Sequence, residues 1–343
     1  MAKSALVTGA SSGIGEETAR GLLAAGYIVY AGARRVDAMR SLEAAGARVL
    51  PLDVTDDASM TTAVDAILRE TGRIDVLVNN AGYGSYGALE DVPLDEGRRQ
   101  FEVNIFGLAR LTQLVLPAMR AQRAGRIVNV SSVSGKIGEP FGTWYHASKH
   151  ALEGLSDSLR MELRPFGIDV VIIEPGSTRT AWGGIARDSL TRHSGDGPYR
   201  DGARVHVRMM ASISEGALPR PPSDVAATIV KAVLSRRPRT RYPTGGGARI
   251  FLFSDDPHWA QTNLQPEFGE MVIVSHNRGA RSSRDMRLMS LASHHVIANS
   301  SFSWWGAWLN DSPDKIVVAP RQWFVDESRR DSSDLVPANW IRL

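Results

Sequence analysis

Short, almost wholly apolar runs alternate with longer amphipathic ones as far as residue 243. The apolar runs are residues 4–8, 27–31, 48–52, 76–79, 127–131 and 170–174. They are rich in β-branched side chains and show no polar face, as strands covered on both sides of a parallel sheet should. Between them, residues 16–25, 58–70, 96–121, 145–165 and 223–236 repeat apolar positions at helical spacing. This alternation predicts an α/β fold, a doubly wound, Rossmann-like parallel sheet. A short run at 241–243 closes the pattern. Ligands of such sheets sit beyond the carboxyl ends of the strands, so strand ends are where chemistry is expected.

The first strand runs into Thr8-Gly9-Ala10-Ser11-Ser12-Gly13-Ile14-Gly15 and then a helix. The first turn of a helix has unpaired N–H groups and a positive dipole end, which suit a phosphate. Gly9 allows the tight turn, Gly13 a close backbone approach, and Gly15 close packing of helix on strand. The bland alternative is a glycine-rich turn that binds nothing. The second strand ends in Gly32-Ala33-Arg34-Arg35, with no acid to hold a ribose hydroxyl. Arg34 and Arg35 could pair with a 2′-phosphate, favouring NADP over NAD, or be two solvated arginines opening a helix. After the third strand come Asp53 and Val54. Asp53 suits either an adenine amino group or a helix N-cap. The fourth strand ends in Asn79-Asn80-Ala81-Gly82, suited to a ribose or to a plain Asn-Gly turn.

Asn104 falls inside the helical run 96–121, where a buried amide needs a partner. It could bend the helix, bind a water or bond the local backbone. Ser131-Ser132 ends the fifth strand, and Tyr145 and Lys149 follow at i and i+4 on one helical face. An ammonium near a phenol favours the phenolate and lowers its pKa from about 10. Ser132 could then hold a substrate oxygen beside the phenol.

These pieces, in this order, resemble the short-chain dehydrogenase/reductase family over about residues 4–246. The resemblance rests on 8–15, 79–82, Asn104, Ser132, Tyr145, Lys149 and Pro175-Gly176-Ser177-Thr178-Arg179-Thr180. It implies an NAD(P)-dependent oxidoreductase interconverting an alcohol and a carbonyl. Tyr145 would be the general acid/base, Ser132 would position the substrate oxygen, and Asn104 would hold a relay water. Lys149 would lower the tyrosine pKa and bind the nicotinamide ribose. The cofactor set would be Gly9, Ser11, Ser12, Gly13, Ile14, Gly15, Arg34, Arg35, Asp53, Val54, Asn80, Ala81, Gly82, Tyr145 and Lys149, with Pro175, Gly176, Thr178 and Thr180 at the nicotinamide. Residues 182–222 stand where such enzymes carry a substrate lid. Trp182, Ile185, Met209, Met210 and Ile213 there suit an apolar substrate or ordinary amphipathic packing. A homo-oligomer is left open.

Composition narrows the alternatives. The chain has 343 residues, 43% hydrophobic and 22% charged, with net charge +3. No basic block with interleaved aromatics points to nucleic acid. The absence of cysteine excludes disulfides, thiolate catalysis and Cys-ligated zinc. Met1-Ala2-Lys3 runs straight into the first strand, no run is long enough to span a bilayer, and a cytoplasmic protein is expected.

After Gly245-Gly246-Gly247 the character changes. Six of the eight tryptophans lie beyond residue 250, and new runs appear at 250–253, 271–275, 285–293, 296–299, 303–309 and 316–319. Residues 253–256, 285–290, 297–308, 315–320 and Trp323-Phe324 resemble the C-terminal part of alpha-1,2-fucosyltransferases, which use GDP-fucose. The resemblance implies that Asn299, Ser300 and Ser301 face the nucleotide sugar of a glycosyltransferase acting on a galactoside. That family's His-x-Arg-Arg motif is missing: His206-Val207-Arg208 is followed by Met209. The expected organisation is therefore 1–247 as a dehydrogenase domain and 248–343 as an additional α/β fragment, an inactive fused passenger. No metal is expected, because Asp255, Asp256, His258, His294 and His295 match no familiar ligand spacing.

Overall fold

The computed structural model describes residues 2–343 apart from 216–218, 245–248, 265–269, 278, 313–314 and 325–334. The Gly245–Gly247 joint lies outside the described residues. The chain forms two compact units, Met1–Ala248 and Arg249–Leu343.

In the first unit the strands are β1 (Ser4–Thr8), β2 (Ile28–Ala33), β3 (Arg48–Pro51), β4 (Val76–Asn79), β5 (Gly125–Val130), β6 (Ile168–Pro175) and β7 (Arg241–Thr244). Their order is β3-β2-β1-β4-β5-β6-β7, all parallel. The order reverses between β1 and β4, which opens a crevice at their carboxyl ends. The helices are α1 (Gly13–Ala24), α2 (Arg40–Ala44), α3 (Asp57–Thr71), α4 (Leu94–Phe101), α5 (Leu108–Gln122), α6 (Thr143–Leu163), α7 (Trp182–Ser194), α8 (Arg200–Glu215) and α9 (Pro222–Leu234).

Alternate strand residues build one core on each face. Val7, Val29, Val78, Val128 and Val171 pack with Leu22 of α1 and Val225, Ile229 and Val233 of α9. Leu6, Tyr30, Leu77, Ile127 and Val170 pack on the other face with Met60, Val64 and Ile67 of α3 and Leu111, Val115 and Met119 of α5. Gly21 lets α1 and α9 approach, since a Cβ there would lie 2.8 Å from Val230 Cγ2.

The long helix expected over 96–121 is not continuous. α4 passes into a π-helical turn, Glu102–Gly107, before α5 begins. Asn104 sits in that turn and is 2% exposed. Of the alternatives weighed for it, a local change of helix and a backbone bond both occur. Elsewhere the expected elements are recovered with shifted ends. α6 stops at Leu163 because Pro165 opens a short 3₁₀ turn instead.

The second unit contains β8 (Arg249–Phe253), α10 (Pro257–Asn263), β9 (Glu270–Val274), α11 (Ser283–Ser290), β10 (His295–Val296), α12 (Ser301–Trp308), β11 (Val317–Ala319) and β12 (Ile341–Arg342). β8 pairs with β9, and β10-β11-β12 form a separate small sheet. Its core is Ile297, Ala307, Val317, Ala319, Val336 and Trp340 with Trp304 and Trp323 against it. Trp304 stacks on Trp308 at 5.0 Å, while Trp305 and Trp308 remain about half exposed. This aromatic ladder replaces the broad strand-on-helix core of the first unit.

Candidate active site

The strand ends of the first unit surround a cleft of about 1360 Å³. Gly9, Ser11, Ser12, Gly13, Ile14, Arg34, Arg35, Asp53, Val54, Asn80, Ala81 and Gly82 line it. Ser132, Tyr145, Lys149, Pro175, Gly176, Thr178 and Thr180 line it too. Gly15 and Asn104 are not part of its wall and act from behind it.

The glycine loop is closed from behind by Asn80. Its Nδ2 donates to Thr8 O at 3.0 Å, and its backbone N–H donates to Thr8 Oγ1 at 3.0 Å. A Cβ at Gly15 would lie 2.4 Å from Gly9 O and 2.6 Å from Asn80 Nδ2, so only glycine fits. Gly9 and Gly13 have φ of 66° and 61°, the left-handed region. Ser12 is the N-cap of α1 but makes no side-chain capping bond, so the first-turn N–H groups face the loop without a serine oxygen. Asn79 is a different kind of residue: its Nδ2 donates to Asn129 Oδ1 and Thr112 Oγ1 inside the sheet.

Arg34 and Arg35 are exposed at the end of β2, and Arg35 donates to Ser11 Oγ at 3.3 Å. The Arg35 guanidinium therefore borders the glycine loop, and Arg34 lines the same cleft, where its charge acts on Asp53. Asp53 is not the N-cap of α3; Asp56 is, accepting from Ala58 and Ser59. Asp53 instead accepts from the Thr55 N–H at 3.0 Å and its hydroxyl at 2.8 Å. Burial works to raise its pKa, yet the Thr55 bonds and the Arg34 and Arg99 charges hold it below the ordinary value. An uncapped helix start, a glycine cradle a Cβ would fill and cations at its rim fit the pyrophosphate of a nicotinamide dinucleotide.

At the other end of the cleft, Tyr145 and Lys149 are 6% and 8% exposed on one face of α6. Lys149 Nζ donates to Val130 O at 2.9 Å and lies 5.9 Å from the Tyr145 ring centroid. The Ser132 hydroxyl donates to Pro175 O at 3.4 Å and lines the same cleft as the Tyr145 phenol. Asn104 accepts from Tyr83 N at 3.2 Å and donates to Tyr83 O and to Ser148 Oγ at 3.1 and 3.0 Å. It thus ties the loop after β4 to the residue preceding Lys149.

Burial acts on both members of the Tyr145–Lys149 pair. Burial pushes Tyr145 up to about 12, with the Ser132 hydroxyl opposing and Glu139 adding to the rise. Burial also pushes Lys149 down to about 8, with the Glu153 carboxylate opposing. Both groups are desolvated together, which disfavours the charged form of each. At neutral pH the phenol keeps its proton.

The lid segment adds aromatic walls. Trp182 lies 5.0 Å from Tyr145 and 5.9 Å from Tyr86, centroid to centroid, and Tyr86 lies 5.9 Å from Tyr145. Ile185, Met209, Met210 and Ile213 line the same cleft.

Tyr86, Glu139 and His146 were not singled out in the sequence, and His206 was considered only for the transferase motif that is missing. Tyr86 Oη donates to Glu139 Oε1 at 2.6 Å, and His146 Nε2 lies 3.4 Å from the same oxygen. The available signal was Gly138-Glu139-Pro140-Phe141-Gly142, a breaker-rich loop between Ser132 and Tyr145.

In the second unit, Asn299, Ser300 and Ser301 stand at the start of α12, and Asn299 Nδ2 donates to Trp323 O at 3.4 Å. Asp256 caps α10, His294 Nδ1 accepts from Ile316 N, and His295 bonds Asn310. Asp256 and His258 line a depression of about 760 Å³ whose wall does not include Asn299, Ser300 or Ser301. Among the described residues no helix is long and apolar enough to cross a membrane.

Comparison with known proteins accounts for both units. The family model for short chain dehydrogenase matches residues 3–189, and that for glycosyl transferase family 11 matches residues 244–343. A 3-ketodihydrosphingosine reductase of Bacteroides thetaiotaomicron is 37% identical over 76% of this chain and 93% of its own length. A Burkholderia phymatum short chain dehydrogenase/reductase solved with NAD is 28% identical, with TM-score 0.60, covering 70% of this chain and 88% of its own. A metagenomic short-chain oxidoreductase solved with NADP is 29% identical, with TM-score 0.55, covering 70% and 95%. The chain belongs to the short-chain dehydrogenase family and is an oxidoreductase built for a nicotinamide cofactor and a small-molecule substrate.

Proposed function

We propose that the first unit reduces an apolar ketone with NADPH, using Ser132, Tyr145 and Lys149. The observation that carries the reading is the Tyr145 phenol, buried in the cleft that Ser132 also lines and, with its pKa pushed up to about 12, still holding its proton at neutral pH. A protonated phenol is the form that can serve as general acid. The cofactor supplies the hydride. Ser132 orients the carbonyl oxygen, and Tyr145 gives its proton to that oxygen as the carbonyl carbon becomes an alcohol carbon. The phenolate then forms beside the Lys149 ammonium, which stabilises it and binds the nicotinamide ribose. Asn104 holds the water that returns the proton. The same residues run the reverse oxidation.

Arg34 and Arg35, with no acid at the end of β2, support NADP over NAD through a 2′-phosphate. Trp182, Met209, Met210 and Ile213 support an apolar substrate. The test is a panel of ketones monitored by NADPH absorbance with NADH in parallel. Turnover of apolar ketones with NADPH is expected, and preference for NADH would reject the NADP assignment.

Residues 244–343 carry a second reading, fucosyl transfer from GDP-fucose to a galactoside, on the family-model match. The missing His-x-Arg-Arg argues against it and in favour of an inactive passenger. GDP release from GDP-fucose by the full chain would reverse that preference.

A further inference from the structure

We propose that His146 is a positioning residue for the reaction: its ring donates from both nitrogens, ties the turn after Ser132 to Glu139, and so fixes the Ser132 hydroxyl in the cleft that holds Tyr145. This rests on the oxidoreductase reading and adds to it a residue outside the cleft lining.

His146 follows Tyr145 on α6 and is buried. Its Nδ1 lies 3.1 Å from Ser134 O and 2.6 Å from Ile137 O. Both partners are carbonyl oxygens, which only accept, so Nδ1 carries hydrogen. The turn held in this way runs straight back to Ser132, whose Oγ accepts from Ser134 N at 3.1 Å. The ring thus reaches Ser132 through the backbone of one residue. On its other side Nε2 lies 3.4 Å from Glu139 Oε1, which also accepts from Tyr86 Oη at 2.6 Å. The loop before α6 is shaped around this ring. A Cβ at Gly142 would meet His146 Cδ2 at 2.6 Å and Nε2 at 2.8 Å, and the Nδ1 bonds leave the ring no room to yield. Gly142 O accepts from His146 N at 2.8 Å. Phe141, just before, has φ of 65°, a left-handed conformation a bulky side chain rarely adopts. Its carbonyl accepts from Gly87 N at 2.8 Å, which pins the strained turn to the loop carrying Tyr86.

Fixing Nδ1 as a donor decides what Nε2 can do. A neutral ring would turn a lone pair toward Glu139, and only the imidazolium can donate there. The carboxylate is ionised: burial works to protonate it, but the His146 and Tyr86 contacts outweigh that and hold its pKa below the ordinary value. Burial works to lower the His146 pKa, but the Glu139 contact and the bonds to Ile137 and Ser134 hold it above the ordinary value. The other titratable groups around the ring keep one state near neutrality. Tyr86 and Tyr145 stay phenols, both pushed up by burial and by Glu139. His206 stacks on Tyr86 at 6.3 Å, and burial lowers its pKa. His150 bonds the His146 carbonyl rather than the ring. Raising the pH through the His146 pKa therefore releases the Glu139 arm of the clamp and leaves the carbonyl arm in place.

The experiment uses the full chain, with 2-dodecanone as the probe ketone. The kcat for its reduction, the affinity for NADPH and the amide exchange of Ser134 in the NADP+ complex are measured in wild type, His146→Leu and His146→Asn. Leucine removes both donors, and asparagine keeps one where Nδ1 stands. His146→Leu should lower kcat about 10–100-fold, leave NADPH affinity within about twofold and strip the Ser134 amide of protection. His146→Asn should recover most of both. The kcat ratio of wild type to His146→Asn should fall toward unity as pH rises through the His146 pKa, above 6.5, because Lys149 and Tyr145 titrate alike in the two proteins. Unchanged kcat or unchanged Ser134 protection in His146→Leu would overturn the proposal. So would loss of NADPH affinity in step with kcat, no recovery by asparagine, or a ratio flat in pH. Where His146→Leu does not fold, the pH course of the asparagine ratio decides alone. No reduction of 2-dodecanone by wild type, with Ser134 protection still dependent on His146, would uphold the clamp and count against the apolar-ketone reading instead.

Discussion

Lys149 Nζ donates to the carbonyl of Val130 at 2.9 Å, so the cation of α6 is anchored to the end of β5 rather than to the phenol it accompanies. This contact fixes the amine in a desolvated place and makes its charge sensitive to pH. Lys149 titrates at about 8 in the folded chain, against 10.5 ordinarily. Between those values the unfolded chain holds the extra proton, so raising the pH stabilises the fold. Tyr145 acts in the opposite sense, because its folded value of about 12 exceeds the ordinary 10.0. Wild type should therefore gain thermal stability relative to Lys149→Met as pH rises from about 8 to 10.5. A difference in melting midpoint that stays constant across this window would show that the amine is not desolvated.

The rim arginines set the cofactor prediction. A charge-assisted phosphate contact contributes about 1.5–3 kcal/mol. Arg34→Asp should raise the KM for NADPH about tenfold or more and leave that for NADH nearly unchanged. Parallel loss with both cofactors would place Arg34 outside 2′-phosphate recognition.

Gly15 offers a steric test. A Cβ would meet Gly9 O at 2.4 Å, with Asn80 Nδ2 at 2.6 Å, and neither is a flexible chain end. Gly15→Ala should cost about 1–3 kcal/mol of stability and weaken dinucleotide binding by displacing the loop. An unchanged melting temperature and unchanged NADPH affinity would mean the loop yields freely.

Much of this was legible in the sequence because it follows from local requirements. Gly9, Gly13 and Gly15 are demanded by backbone geometry, and Tyr145 and Lys149 share a face by helical spacing alone. The π turn at Glu102–Gly107 was not legible, since apolar periodicity over 96–121 cannot register one local widening of the helix. Asp53 was ambiguous as an N-cap because Asp56, three residues on, is chemically the same. The cluster of Tyr86, Glu139, His146 and His206 was hidden for another reason. Its members come from the loop after β4, the loop before α6, α6 itself and α8, and only tertiary folding brings them together.

The two units give a truncation prediction. Both large cores of the first unit are built from residues up to Tyr242, without contribution from β8 onward. A chain ending at Ala248 should fold and retain its oxidoreductase kcat. Loss of activity on truncation would make the second unit a working part of the enzyme rather than a passenger.

The central claim is that the Tyr145 phenol carries the proton. The measurement that tests it most directly is single-turnover ketone reduction by Tyr145→Phe, with NADPH affinity measured in parallel. General acid catalysis contributes about 10²–10⁴-fold. The account predicts a rate loss of that size with NADPH affinity largely intact. Reduction at the wild-type rate by Tyr145→Phe would contradict it.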